Sequence, residues 1–424
     1  MMTKRLITGK TYFSIKMYTQ QLIGPFRQIV TMASLPTKGP LTDDQLQIVP
    51  NAGIVLQGDR IVEVVNFEEG TKKHKNVFEM EGDYVALPGL IDCHTHICFA
   101  GSRAKDYQLK VGGAGYQEIL KGGGGIHDTV QKTRAATLTE LEELLAGRAT
   151  RHLTEGVTTI EVKSGYGLNV ADELKMLEAI SRTSKEYLLD VIPTCLAAHV
   201  KPGEFDKADE YLDFLMNDLL LQVKQEGLSN RVDIFVEEGA FDVALSRKYL
   251  TRAREMGFQL TVHADQFSSG GSKLAVDMGA LSADHLEAST DADIKYLAGS
   301  DTIGVVLPGA SMGLGLPFAP ARKLLDYGGC LAIATDWNPG SAPMGDLLMQ
   351  AAVLGASQKL SMAETWAGIT FRAAKALDLD DRGTLVHGNL ADFIAFETGD
   401  YREVLYHQGK VKPVAVWKNG RLVD

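Results

Sequence analysis

Between Tyr84 and Thr335 eight short apolar runs recur, with longer helical patterns between most of them, and this alternation confines the chain to a few α/β architectures. The runs are Tyr84–Cys93, Thr158–Val162, Val191–Leu196, Val232–Val236, Leu260–Val262, Leu281–Ala283, Thr302–Leu307 and Leu331–Thr335. A closed barrel and an open doubly wound sheet both accommodate such a pattern. The position of the polar residues favours the barrel. His94 and His96 follow the first run, Lys163-Ser164-Gly165-Tyr166 the second, and His199 the third. His263-Ala264-Asp265-Gln266 follows the fifth, Asp284-His285 the sixth, and Asp336-Trp337-Asn338-Pro339-Gly340-Ser341 the eighth. The C-terminal strand ends of a barrel converge on one mouth, whereas the distal strands of an open sheet could not all meet. The sequence therefore predicts an α/β fold with a (β/α)8 TIM-like barrel. Helices are expected over Leu138–Leu153 (ended by Gly156), Ala171–Tyr187, Tyr211–Glu226, Leu245–Met256, Ser272–Met278 and Asp291–Ala298.

The two ends of the chain read as β structure. Ile48–Val65 alternates apolar and polar residues around a Gln57-Gly58-Asp59 turn, and Val414–Arg421 carries an Asn419-Gly420 hairpin signal. The expected organisation is one small composite β-sandwich from residues 1–86 and 379–424, flanking a barrel over 87–378. Met1–Thr42 is basic and free of acidic residues. It is read as a short unstructured extension leading to a first strand and turn in Gln20–Ala33, rather than as a transit peptide. The net charge of −11 argues against a nucleic-acid surface, and no apolar run reaches membrane-spanning length. Four cysteines without a Cys-x-x-Cys pair suit a reducing compartment, so a cytoplasmic location is expected.

His94 and His96 lie two residues apart at a strand end, so their imidazoles share a face and form half of a metal site. His263 and Asp336, after the fifth and eighth runs, complete a set of three nitrogens and one carboxylate oxygen. Such a set suits zinc or iron and lowers the pKa of a bound water. Asp336 can also take a proton from that water, and otherwise would be a turn residue before Pro339-Gly340. His285 is placed to hold or deprotonate the water or to polarise a carbonyl; the alternative is a core histidine. Arg103, seven residues beyond His96, needs an intervening anion if it faces the metal, and a substrate carboxylate would serve; otherwise it is a surface salt bridge. Tyr166, between two glycines, offers an exposed phenol. Gly122–Gly125 is not a phosphate loop, since no Gly-Lys-Ser/Thr follows; a lid or a tight crossing explains it better.

LPGLIDCHTH, with a His after strand five, a His after strand six and an Asp after strand eight, resembles the amidohydrolase superfamily. FAGSR, EVKSGYG, AAH, HADQ, SADH and ATDWNPGS resemble the imidazolonepropionase family within it, from about Leu22 onward. The resemblance implies metal-dependent hydrolysis of the cyclic amide of 4-imidazolone-5-propanoate to N-formimidoyl-L-glutamate, in histidine degradation. It implies one divalent metal, Zn2+ or Fe2+/Fe3+, at His94, His96, His263 and Asp336, and catalytic roles for His285 and Asp336. It implies substrate contacts from Arg103, Tyr166, His199, Asn338, Gly340 and Ser341, with Arg103 on the propionate. Gln266 stands where related ring deaminases carry Glu; its neutral amide can orient the ring but cannot shuttle a proton. Lys163, in EVKSGYG, is not expected to bridge two metals. The expected partners are a small carboxylate substrate and a second copy of the chain in a homodimer. The rival readings are another cyclic amidohydrolase or a cytosine- or guanine-type deaminase on the same fold, and, further off, a non-catalytic scaffold.

Overall fold

The computed structural model describes residues 19–113 and 122–423, so the extension expected over the first residues lies outside the described part. Eight parallel strands run in the order of the sequence: β6 (Leu90–Asp92), β7 (Val157–Lys163), β8 (Asp190–Ala198), β9 (Arg231–Val236), β10 (Gln259–Ala264), β11 (Ser282–His285), β12 (Ile303–Val306) and β13 (Leu331–Ile333). Helices connect them along the outside. The longer ones bury the apolar faces read from the sequence: Leu138–Thr154, for example, buries Leu141, Leu145, Ala149 and Leu153. Its start is fixed by a reciprocal cap, in which the Thr137 hydroxyl accepts from Glu140 N and the Glu140 carboxylate accepts from Thr137 N.

The barrel closes beyond the ends of its first and last strands. Asp336 N donates to His94 O at 3.0 Å and His96 N to Trp337 O at 2.9 Å, forming a parallel bridge between Thr95 and Trp337. Below this seam the buried Asp92 carboxylate accepts from Thr335 N at 3.0 Å and from Thr335 Oγ1 at 2.6 Å.

The first apolar run differs from its expected form. Tyr84–Cys93 is not one strand but two elements in two sheets. Tyr84–Pro88 (β5) pairs antiparallel with Phe393–Glu397 (β14) in the terminal sheet, and only Leu90–Asp92 enters the barrel. The break follows from Pro88, which has no N–H to donate, and from Gly89, where any Cβ would overlap the Thr158 side chain. The terminal sheet thus extends to Pro88, two residues past the expected boundary at 86.

That sheet joins β1 (Gln21–Val30), β2 (Ile48–Gln57), β3 (Arg60–Asn66) and β4 (Val77–Glu79) to β5, β14, β15 (Ala415–Lys418) and β16 (Arg421–Leu422). Its strands are hydrogen-bonded in one continuous order and curl over a core of their own. The β2–β3 turn at one end meets the β15–β16 turn at the other, where a Cβ on Gly420 would strike Gly58 O. Inside, the Phe393 and Trp417 rings stack with centroids 4.5 Å apart, and Phe26 meets both edge-on.

The sheet is tied to the barrel at the N-terminal ends of β7 and β8. Lys418, fully buried, donates to Asp392 at 2.6 Å and to Asp190 at 2.8 Å. Arg382 reaches the same Asp190 at 2.5 Å and Thr159 Oγ1 at 2.9 Å. Lys418→Met would leave Asp392 buried without its counter-ion. A loss of about 3–5 kcal/mol is expected, read as a lower thermal midpoint. Metal content per folded chain should be unchanged, because this contact lies at the far end of the barrel from the mouth.

Candidate active site

Every residue proposed from sequence as a metal ligand lies at the C-terminal mouth of the barrel. His94 Nε2 and His96 Nε2 are 3.2 Å apart, and His263 Nε2 is 3.3 Å from His96 Nε2. Asp336 Oδ1 lies 3.5 Å from His94 Nε2 and 3.2 Å from His96 Nε2. All four side chains are buried. These four separations are close to the roughly 3.3–3.4 Å between neighbouring ligands that share one ion with bonds of about 2.0–2.1 Å.

The donor set explains the arrangement. His94 Nδ1 is 2.6 Å from Asp284 Oδ2 and His263 Nδ1 is 2.8 Å from Asp233 Oδ2. Each carboxylate accepts from Nδ1–H, which leaves Nε2 to the metal side as a lone pair. Lone pairs on neighbouring imidazoles and a carboxylate oxygen then face one another, an arrangement that only a cation satisfies. Asp336 is kept ionised against its burial by His94, His96 and the charge of His285, well below the usual carboxylate range. His96 is driven to the neutral side mainly by burial, down to about 3.

Beneath the imidazoles lies a buried charge cluster that the sequence reading did not assemble. Lys163 Nζ is 2.8 Å from Glu161 Oε1, 2.8 Å from Asp233 Oδ2 and 3.8 Å from Asp284 Oδ2. Burial opposes its charge, but Asp233, Glu161 and Asp284 hold the ammonium well above the ordinary lysine value. Lys163 is thus a counter-ion to the carboxylates that orient the ligands, and its amine is not free to form a bridging carbamate. Two signals for the cluster were present in the sequence. Asp284 directly precedes His285, and Asp233 interrupts the otherwise apolar fourth run.

His285 stands beside this centre. One of its ring nitrogens groups with ligand atoms of His94 and Asp336 within 4.8 Å, and its ring centroid is 5.1 Å from that of His263. Its backbone has φ 88°, a left-handed conformation costly for a histidine, and Asp336 likewise has φ 51°.

Above the centre opens a cavity of about 1390 Å3 lined by Arg103, Tyr166, His199, Gln266, His285, Asn338, Gly340 and Ser341 among others. Arg103 is held by Asp106 at 2.8 Å and lies against Gly340, where a Cβ would come within 2.7 Å of Nη1. Two residues expected to contact substrate, from distant loops, therefore meet. Asp106 also accepts from Gly125 N at 2.8 Å, so the end of the glycine run is a fixed turn into the helix Ile126–Ala135. His199 donates Nδ1–H to Gly165 O at 3.1 Å and stacks on His96 at 5.4 Å between centroids. Burial pushes it toward the neutral form, leaving Nε2 as an acceptor. Tyr166 is buried rather than exposed as expected: it packs against both rings, and burial raises its phenol, so it is a donor.

Asn338 lines the cavity and also braces the turn that carries Asp336. Its Nδ2 donates to Asp336 O at 2.7 Å, Asp336 Oδ2 at 3.0 Å and Ser341 Oγ at 2.9 Å. Its Oδ1 accepts from Gly340 N at 2.7 Å and Ser341 N at 2.8 Å. The amide is committed to the turn that aims Asp336. Glu237, absent from the sequence reading, ties down the loop after Gln266 by accepting from Phe267 N at 2.9 Å and Ser268 N at 3.1 Å.

The Amidohydrolase family model matches residues 85–423. An imidazolonepropionase of Bdellovibrio bacteriovorus is 39% identical over 390 residues, covering 90% of this chain and 91% of its own. One from Deinococcus deserti is 42% identical over 343 residues, covering 81% and 85%. Among solved structures, a triazine hydrolase variant aligns with a TM-score of 0.72 at 18% identity, over 95% of this chain and 94% of its own. A zinc-bound adenosine deaminase from Xanthomonas campestris aligns with a TM-score of 0.68 at 16% identity, over 95% and 92%. At such identities these structures speak for the fold alone. If Asp284 orients His94 as the geometry indicates, Asp284→Asn should weaken zinc binding about ten- to a hundredfold in competition with a chromophoric chelator. The folded state should survive, because the amide keeps the carboxylate's shape.

Proposed function

The chain belongs to the amidohydrolase family and, within it, to the imidazolonepropionases, and on that premise we propose that its barrel mouth opens the ring of 4-imidazolone-5-propanoate with water to give N-formimidoyl-L-glutamate. The observation that carries the reading is the convergence of four donor-free ligand atoms on a cavity whose rim carries a guanidinium. The first feature suits hydrolytic chemistry, the second a substrate with a carboxylate.

A divalent ion, zinc or iron, held by His94, His96, His263 and Asp336 would supply an activated water and polarise the ring carbonyl. Arg103 binds the propionate bidentately, its orientation set by Asp106. Tyr166 donates and His199 accepts at the ring, while the amide of Gln266 pairs with a ring N–H or carbonyl. His285 donates to the oxygen on which negative charge develops. Asp336 takes the proton of the attacking water and passes it to the leaving ring nitrogen, with Asn338 holding its Oδ2 throughout. Gln266 cannot take part in that transfer, which leaves Asp336 as the proton carrier.

The direct test follows the ultraviolet absorbance of fresh imidazolonepropionate. Turnover without ammonia release is expected, abolished by a chelator and restored by zinc or iron; ammonia release would assign the site to a deaminase instead. Arg103→Ala should raise KM about ten- to a hundredfold with a smaller change in kcat, since a charged hydrogen bond to the substrate is lost. A KM no higher than that of a surface control would refute the carboxylate assignment.

A further inference from the structure

His285 lines the cavity, yet its Nδ1 is buried and has no hydrogen-bond partner. The carboxylate of Glu287 stands 3.7 Å from it, its side chain 2% exposed. Glu287 Oε1 accepts from Ser311 Oγ at 2.7 Å, which fixes the side chain, while Oε2, the oxygen facing the imidazole, is without a partner. Among the described residues no other basic side chain comes within 4 Å of Glu287.

Two buried polar atoms without partners each carry a desolvation cost of about 1–3 kcal/mol. Here the two face each other, and a shift of about 1 Å brings them to charge-assisted hydrogen-bond distance. The backbone makes the approach possible. His285 and Leu286 both have positive φ, 88° and 76°, so the chain doubles back at this strand end and brings residue 287 beside the ring of residue 285. In an extended strand those two side chains would instead project in parallel along one face.

We propose that Glu287 is a positioning residue for His285. Its Oε2 accepts from His285 Nδ1–H, locks the plane of the ring, and aims Nε2 at the reacting carbonyl. With Nδ1–H given to Glu287, the ring is fixed in the one orientation that turns Nε2 toward the substrate oxygen. Ser311 completes the relay by holding the other carboxylate oxygen. The inference rests on the reading of His285 as the group that meets the substrate oxygen.

The test is a double-mutant cycle on the metal-loaded enzyme with fresh imidazolonepropionate, using Glu287→Gln, His285→Ala and the pair. Glu287→Gln should lower kcat about tenfold to a hundredfold, with KM within about twofold and metal content unchanged. In the His285→Ala background the same substitution should cost less than about twofold, because its effect runs through the missing imidazole. Losses that multiply, or a Glu287→Gln enzyme with kcat within twofold of the parent, overturn the proposal while leaving the role of His285 intact. A His285→Ala enzyme with full kcat removes that role, and the proposal with it. An independent readout needs no folded Glu287 variant. Nitrogen-15 spectra of the histidine-labelled parent, assigned by difference with His285→Ala, should show His285 Nδ1 carrying a proton, and an unprotonated Nδ1 overturns the proposal.

Discussion

A single buried ammonium underlies the metal centre. Lys163 lies among three carboxylates, two of which, Asp233 and Asp284, hold the Nδ1 protons of His263 and His94. Each carboxylate would be costly to bury alone, by several kcal/mol per charge. Lys163 offsets part of that negative charge from below, and a cation among the Nε2 atoms would offset more from above. Fold stability and metal binding are thus linked through the same few side chains. The cluster also sets direction: because the carboxylates fix which imidazole nitrogen is protonated, the ligand lone pairs can point only toward the mouth.

The seam that closes the barrel puts the fourth ligand in place. Parallel pairing between β6 and β13 continues past the strand ends as the Thr95–Trp337 bridge, and this lays Asp336 beside His94 and His96. Several contacts hold the seam. Asp92 receives Thr335 from within, Arg151 lies over the Trp337 ring at 3.9 Å, and Asn338 knits the turn beyond. Asp336 adopts a left-handed backbone conformation at the end of this bracing. A strained residue persists where its surroundings over-determine it, and here the strain turns a carboxylate back over the barrel axis.

The two ends of the barrel therefore carry different loads. At the N-terminal end, Lys418 and Arg382 fasten the curled terminal sheet through Asp190, a purely architectural use of charge. At the C-terminal end, carboxylates orient imidazoles, and glycines let backbone and side chains approach closely. Gly340 leaves room for the Arg103 guanidinium, and Gly165 leaves room for His199, whose Nδ1 a Cβ there would approach to 3.1 Å. Small residues at the mouth let these side chains take their places around the cavity.

Much of this was legible in the chain itself. The eight apolar runs gave the barrel, because parallel strands buried on both faces must be nearly all apolar. The polar residues just after them gave His94, His96, His263, His285 and Asp336, because only a barrel brings those strand ends together. The break at Gly89 was not legible, since Tyr84–Cys93 has the same apolar character on both sides of it and only the crowding at Thr158 divides it. Nor were the partners of the ligands. Asp233 and Glu161 sit inside runs that sequence reads as core, and Lys163 directly follows one of them. Glu287 reaches His285 only because two consecutive residues take left-handed conformations. Sequence determined which side chains occupy the strand ends, since burial and periodicity are written locally. Tertiary structure alone decided which carboxylate holds which imidazole, because those pairings span many residues and depend on how neighbouring strands are staggered.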